Sequence, residues 1–241
     1  MSKDARSVIR RELGSSDIGT ITVTPASGVA WELVLPVQEA DEPHIGYNLT
    51  KRIIDFALAL TALVALSPLL VVVAIINARG GGVFYRQRRL GLCGKEFSCL
   101  KFRSMVPGAE ELRETIEYLN ITNGPTFKNP DDPRLTKFGR FLRRWSIDEL
   151  PQLLNVLRGD MSLVGPRPLA VAENRYEGDQ HQRLSVKPGL TCIWQVSGRS
   201  KVDFERWMQM DLDYVDSRSL ATDLGLIVRT IPAVVFGEGA F

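Results

Sequence analysis

The sequence predicts an α+β protein, mostly helical, attached to a membrane through one apolar helix. Three observations carry this. The run Ile53 to Ile76 is strongly apolar and carries a single charged residue, Asp55. The glycine-rich stretch after it, GGGVFYRQRRLGLCGKEFSCLKFRSM, alternates β-type residues with turns. Most of what remains shows apolar residues at helical spacing.

At 241 residues the chain is long enough for one or two domains and a sizeable core. Hydrophobic residues make up 44% and charged residues 24%, as in ordinary globular proteins. The net charge of +2 hides two basic crowds, Arg79 to Arg89 and Arg134 to Arg144. Cys93, Cys99 and Cys192 lack metal-type spacing, and His44 and His181 are the only histidines, so no zinc site is expected. Free thiols suit a reducing compartment. The first residues carry no secretory pattern.

Residues 1–48 read as an N-terminal extension and linker. GTITVTPASGVAWELVLPV suits a β-hairpin, and DEPHIG a connector. Residues 49–241 read as the second domain. The apolar run would be about 36 Å long as a helix, enough for a bilayer core of about 30 Å. Ser67-Pro68 interrupts it. Proline removes a backbone donor, and a serine hydroxyl beside it can satisfy a freed carbonyl. Lys51 and Arg52 precede the run, and Arg79, Arg86, Arg88 and Arg89 follow it. Basic flanks on both sides suit a bent helix over 52–78 that enters and leaves on one face, because positive residues favour the cytoplasmic side. A straight transmembrane helix and a buried helix of a soluble protein are the alternatives.

AEELRETIEYLN predicts an exposed helix, and NGPTFKNPDDPR a polar loop. In RLTKFGRFLRRW, Phe138, Phe141, Leu142 and Trp145 share one face, and Lys137, Arg140 and Arg144 another. Such a helix suits the headgroup region, or packs its aromatics on a core. Leu150, Leu153, Leu154 and Leu157 form a stripe, predicting a helix over 149–158 that stops at Gly159. FERWMQMDLDYVD predicts another. SLATDLGLIVRTIPAVVF predicts a serine-capped apolar helix bent or ended at Pro232.

The run Ser146 to Pro168 concentrates the chemistry. Asp148 and Glu149 adjoin the start of the leucine-striped helix. As a purely local feature, Asp148 caps that helix, or Ser146 and Glu149 form a capping box. As chemistry, the same carboxylates hold Mg²⁺, which takes one or two carboxylates plus phosphate oxygens, or attack phosphorus. Arg167 stands between Pro166 and Pro168 on restricted backbone, a stiff mount for a planar fork that suits phosphate. Lys101 and Arg103 alternate along a predicted strand, and Arg143 lies five residues before Asp148.

Several short motifs, taken in order, resemble the bacterial sugar transferases, monotopic phosphoglycosyl transferases. They are KRIIDFALAL, the Ser-Pro pair, VFYRQRRLG, KFRSM, DPRLTKFGRFLRR, IDELPQLLNVLRGDMSLVGPRP, VKPGLT, WQVSGR and DYVDSRS. The resemblance covers Leu49 to Phe241. It implies a monotopic fold with a re-entrant helix broken at Ser67 and Pro68, a small β element and interfacial amphipathic helices. It implies a catalytic Asp148 nucleophile partnered by Glu149, with Mg²⁺ held by the pair. It implies phosphate contacts from Lys101, Arg143 and Arg167; Arg103, Pro166 and Pro168 are expected to bind substrate with them. The implied reaction moves a sugar-1-phosphate from a UDP-sugar to polyprenyl phosphate, undecaprenyl being expected, and releases UMP. That is the first membrane step of exopolysaccharide or O-antigen assembly, on the cytoplasmic face of the bacterial inner membrane. The expected partners are UDP-sugar, polyprenyl phosphate and inner membrane lipid, without nucleic acid; a homo-oligomer is left open. The alternatives are a membrane-anchored basic binding module and another Mg²⁺-dependent phosphoryl or nucleotidyl transferase. The sugar is not legible. The chain departs from the family pattern at Cys192, where glycine is usual, and at GGGVFY.

Overall fold

The computed structural model describes residues 45–121, 125–127, 129–173, 176, 178–199 and 202–235, and three strands before them. The chain divides into two compact units, Met1–Gly46 and Tyr47–Phe241. The first carries β1 (Arg11–Glu12), β2 (Ile18–Val23) and β3 (Trp31–Pro36), an antiparallel sheet in which Thr20 faces Val34. The hairpin expectation holds for the paired strands.

The second unit begins on α1 (Ile45–Ala78). One stripe of α1 is buried, through Asp55, Ala59, Val73 and Asn77. Most of its large apolar side chains, among them Phe56, Val64, Val71 and Ile75, are exposed. The helix is long and apolar enough to cross a membrane. The expected break at Ser67-Pro68 is corrected in form, because the helix runs unbroken through Pro68. The reason is local. Pro68 offers no N–H to the Val64 carbonyl, and the Ser67 hydroxyl donates to that oxygen instead, at 2.8 Å.

Two antiparallel strands follow, β4 (Phe84–Leu90) and β5 (Glu96–Phe102), with Tyr85 opposite Lys101. The stretch predicted as an exposed helix is a 3-10 turn, Glu114–Leu119, exposed as expected. Consecutive i to i+3 bonds, such as Asn120 N–H to the Glu117 carbonyl, hold it in the tighter form. Helix α2 (Lys137–Arg144) is capped by Thr136, whose hydroxyl accepts from the Gly139 N–H at 2.8 Å. Its aromatic face splits. Leu142 is fully buried and Phe138 packs beside it against Leu70, Val73 and Ala74 of α1. Phe141 and Trp145 stay exposed.

Helix α3 (Gln152–Arg158) ends at Gly159, which takes the left-handed φ of 89° that a helix stop favours. Its start is later than predicted, and its buried face is Gln152, Leu153, Asn155 and Val156; of the leucine stripe, Leu153 is buried and Leu157 packs against the same core. Leu154 points outward. Asn155 displaces the stripe because its amide does structural bonding: Oδ1 accepts from the Leu100 N–H at 3.0 Å, and Nδ2 donates to the Ser98 carbonyl at 2.8 Å. That ties α3 to β5.

Strands β6 (Ser162–Val164) and β7 (Gly189–Thr191) pair in parallel. Gly165 and Gly189 allow it: a Cβ on Gly189 would sit 2.1 Å from the Gly165 nitrogen. A short α4 (Ile193–Val196), α5 (Phe204–Ser217) and α6 (Leu220–Val235) complete the unit. Ser219 caps α6, as predicted, accepting from the Thr222 N–H at 3.1 Å. Pro232 lies within α6 without ending it. Leu226 of α6 is buried, while Leu224, Val228 and Ile231 face outward.

Candidate active site

Asp148 and Glu149 are on a single 3-10 turn, Ile147–Glu149, between α2 and α3. Ser146 enters the turn with a left-handed φ of 53°. Neither capping arrangement forms. The Ser146 side chain makes no cap bond, and the cap position of α3 falls to Pro151. Both carboxylates therefore remain available to line a cavity of about 590 Å³.

Three cations converge on them. Lys101, from β5, places Nζ 2.8 Å from Glu149 Oε1. Arg167 grips Glu149 with both ends of its fork, Nη2 on Oε1 and Nη1 on Oε2 at 3.2 Å. Arg143, from α2, donates from Nε to Ser104 Oγ at 3.1 Å. Its other nitrogens have no protein partner among the described residues. Burial acts to raise the Glu149 carboxyl, but Arg167 and Lys101 overcome it and hold the group well below the usual range. Burial pushes the Asp148 carboxyl up, Lys101 lowers it, and the neighbouring Glu149 charge adds to the rise. Asp148 is 5% exposed and accepts no hydrogen bond from the described residues.

Each cation has a mount. Gly139 lets α2 lie directly on the chain after β5, since a Cβ there would stand 1.8 Å from the Ser104 carbonyl oxygen. This contact sets Ser104 beside Arg143. The Pro166-Arg167-Pro168 backbone is bonded at all three carbonyls, by the Gly189 N–H, by Arg183 and by Arg89. Pro166 and Pro168 are buried, and Pro168 lines the cavity. Arg183 is itself held by Asp211, Nε to Oδ2 at 3.1 Å, both groups almost wholly enclosed. The Arg167 guanidinium lies over Trp194, 5.6 Å from its ring centre, and Trp194 stacks on Trp207 at 4.6 Å. Burial raises the Asp211 carboxyl to about 6, with Arg183 working the other way.

Arg103 lines the same cavity but does not reach the acid pair. Its Nη2 points back to the Phe84 carbonyl at 3.4 Å. The alternation with Lys101 fails to bring the two together because β5 ends at Phe102. A buried pair, Asp132 with Arg134, adds a further wall, with Nη2 to Oδ2 at 2.7 Å. Sequence reasoning missed Ser104, Asn155, Arg183, Trp194 and Asp211. Arg183 and Asp211 meet across a sequence separation of 28 residues, and nothing local signals that.

A Mg²⁺ ion finds a suitable but incomplete donor set here. Asp148 offers unengaged oxygens; the Glu149 oxygens already accept from Lys101 and Arg167. Among the described residues no group of three or more His, Cys, Asp or Glu assembles. Substrate phosphates would have to complete the coordination, which is how Mg²⁺ is usually held.

The family model for bacterial sugar transferases matches residues 46–237. The chain belongs to that family. It is 42% identical over 201 residues to the UDP-galactose-lipid carrier transferase of Erwinia amylovora, covering 79% of this chain and 41% of that protein. It is 42% identical to the exopolysaccharide production protein ExoY of Sinorhizobium fredii, covering 80% and 89%. It is 40% identical to the UDP-glucose:undecaprenyl-phosphate glucose-1-phosphate transferase of Caulobacter vibrioides, covering 83% and 74%. The chain thus spans about two-fifths of the length of the Erwinia relative and nearly all of ExoY.

Proposed function

We propose that this chain is a phosphoglycosyl transferase, moving a sugar-1-phosphate from a UDP-sugar to undecaprenyl phosphate and releasing UMP. The observation that carries the reading is the cavity-lining Asp148: buried, accepting no hydrogen bond from the described residues, and within the field of Lys101, Arg143 and Arg167 in a chain of this family. A carboxylate so placed meets a diphosphate among cations that stabilise developing charge.

An Asp148 oxygen attacks the β-phosphorus. The bond from that phosphorus to the bridging oxygen breaks, its electron pair leaves with the bridging oxygen, and UMP departs. Undecaprenyl phosphate then attacks the same phosphorus through a phosphate oxygen and frees the carboxylate. Arg143 has donors to offer the phosphates. Lys101 and Arg167 hold Glu149 ionised and place it beside Asp148. Asp148 and Glu149 are the residues that would hold Mg²⁺, which neutralises diphosphate charge when bound.

We place this site at the cytoplasmic surface of the inner membrane, with α1 inserted from one side. Support comes from both ends of the helix. Arg52 donates to the Val156 carbonyl at 2.5 Å and the Leu157 carbonyl at 2.7 Å. Asp55 accepts from Ser162 at 2.7 Å. At the other end Asn77 donates to the Arg103 carbonyl at 3.0 Å. A helix gripped at both ends by one compact unit suits one-face insertion better than a straight crossing.

The test is a UMP-release screen over UDP-glucose, UDP-galactose and N-acetylated UDP-sugars, with undecaprenyl phosphate and Mg²⁺. At least one donor is turned over, and Asp148→Asn lowers its rate at least about 10³-fold while still sedimenting with membranes. UMP release by Asp148→Asn at the wild-type rate removes the nucleophile assignment.

A further inference from the structure

Arg199 closes the WQVSGR motif, just after α4, and lines the same cavity as the acid pair. It is 5% exposed, yet no carboxylate among the described residues lies within ion-pair distance of it. Its Nε donates to the Gln195 carbonyl at 3.4 Å, and its Nη2 is buried without a hydrogen-bond partner among the described residues. Its φ of 51° is left-handed, a conformation that costs an ordinary residue free energy. A buried cation with an idle donor and a strained backbone is a costly arrangement in an unliganded protein. An anion entering the cavity removes the electrostatic part of that cost.

The position narrows the anion. Arg199 is bonded to the Gln195 carbonyl of α4, and the same helix carries Trp194, the ring beneath the Arg167 guanidinium. It therefore stands on the Arg167 flank of the cavity, by the Trp194 shelf. We propose that Arg199 is a substrate-binding residue that holds the phosphate departing with the nucleotide, the α-phosphate of the donor and then the phosphate of UMP. This rests on the transfer reaction proposed above. When the bridging bond breaks, the electron pair adds charge to that phosphate, and a cationic side chain in the cavity wall stabilises it.

The experiment uses the full chain in lipid nanoparticles and two uncharged variants. Arg199→Gly suits the left-handed backbone, and Arg199→Gln retains part of the side chain's bulk. The readouts are the UMP inhibition constant, kcat and KM for the UDP-sugar, the KM for undecaprenyl phosphate, and the melting temperature. Both variants are expected to weaken UMP inhibition at least about tenfold and to lower kcat/KM for the donor, with the KM for undecaprenyl phosphate within about twofold of wild type. UMP inhibition unchanged in a folded variant overturns the assignment. So does a rise confined to the KM for undecaprenyl phosphate, which would give Arg199 to the lipid phosphate. Loss of the fold in both variants also overturns it, because the guanidinium would then serve the core. A wild-type chain that releases no UMP from any UDP-sugar sinks the transfer reaction itself, a different result from any of these.

Discussion

At the level of single residues, the site separates two neighbouring carboxyls by their partners. Glu149 has two cations in direct contact; Asp148 has none among the described residues, and feels them only across space. Neighbours in sequence thus receive different chemistry, which the motif alone does not reveal. A comparable pair in the wall can be tested by pH. Burial acts to raise Asp132, but hydrogen bonds and charge from Arg134 prevail and its carboxyl lies below the usual range. A lowered carboxyl stabilises the fold above the unfolded value of about 4, and that contribution fades as pH falls through the folded value. The stability gap between wild type and Asp132→Asn should be full at pH 7 and narrow steadily below about pH 4. Denaturant melts across that range decide it; a gap independent of pH contradicts the pairing.

Among the elements, close approach fixes which side chains reach the cavity. Helix α2 lies against the Ser104 backbone because Gly139 has no side chain, and this contact carries Arg143 to the acid turn. Gly139→Ala should push the helix outward, cost about 1–3 kcal/mol of stability, and lower turnover more than Arg140→Ala on the exposed face. Thermal melts and UMP release measure both effects; an Ala variant as stable and active as wild type would show that α2 adjusts freely. Much at this scale was legible. The β4–β5 pair, the Gly159 stop, the Ser219 cap and α5 all followed from turn chemistry and spacing. The start and buried face of α3 did not, because Asn155 bonds a strand distant in sequence. Periodicity counts apolar residues and cannot see an amide that belongs in the core. The Pro-Arg-Pro mount was legible as stiffness, whereas Arg183 and Asp211 beneath it were not.

For the whole second unit, α1 gives two kinds of surface to one helix, a buried stripe and a broad apolar face. With Phe141, Trp145, Leu224 and Val228 it supplies exposed apolar area that a lipid layer can cover. One-face insertion predicts that cysteines introduced at Asn48 and Gly80, with Cys93 replaced by serine, react with a membrane-impermeant maleimide from the same side. In sealed inverted vesicles both should label; labelling of only one means that the helix crosses. The apolar run located this helix in the sequence, but its continuation through Pro68 could not be read from hydropathy.

Arg52 leads from this surface back to the chemistry. It clasps the last carbonyls of α3, the helix that follows the acid turn. Anchor and reaction centre are therefore joined by one short rigid strut. Trimming away α1 to obtain a water-soluble fragment would uncap that strut and loosen the turn at its opposite end. Detergents that tug on the anchor should likewise dull turnover without ever entering the pocket.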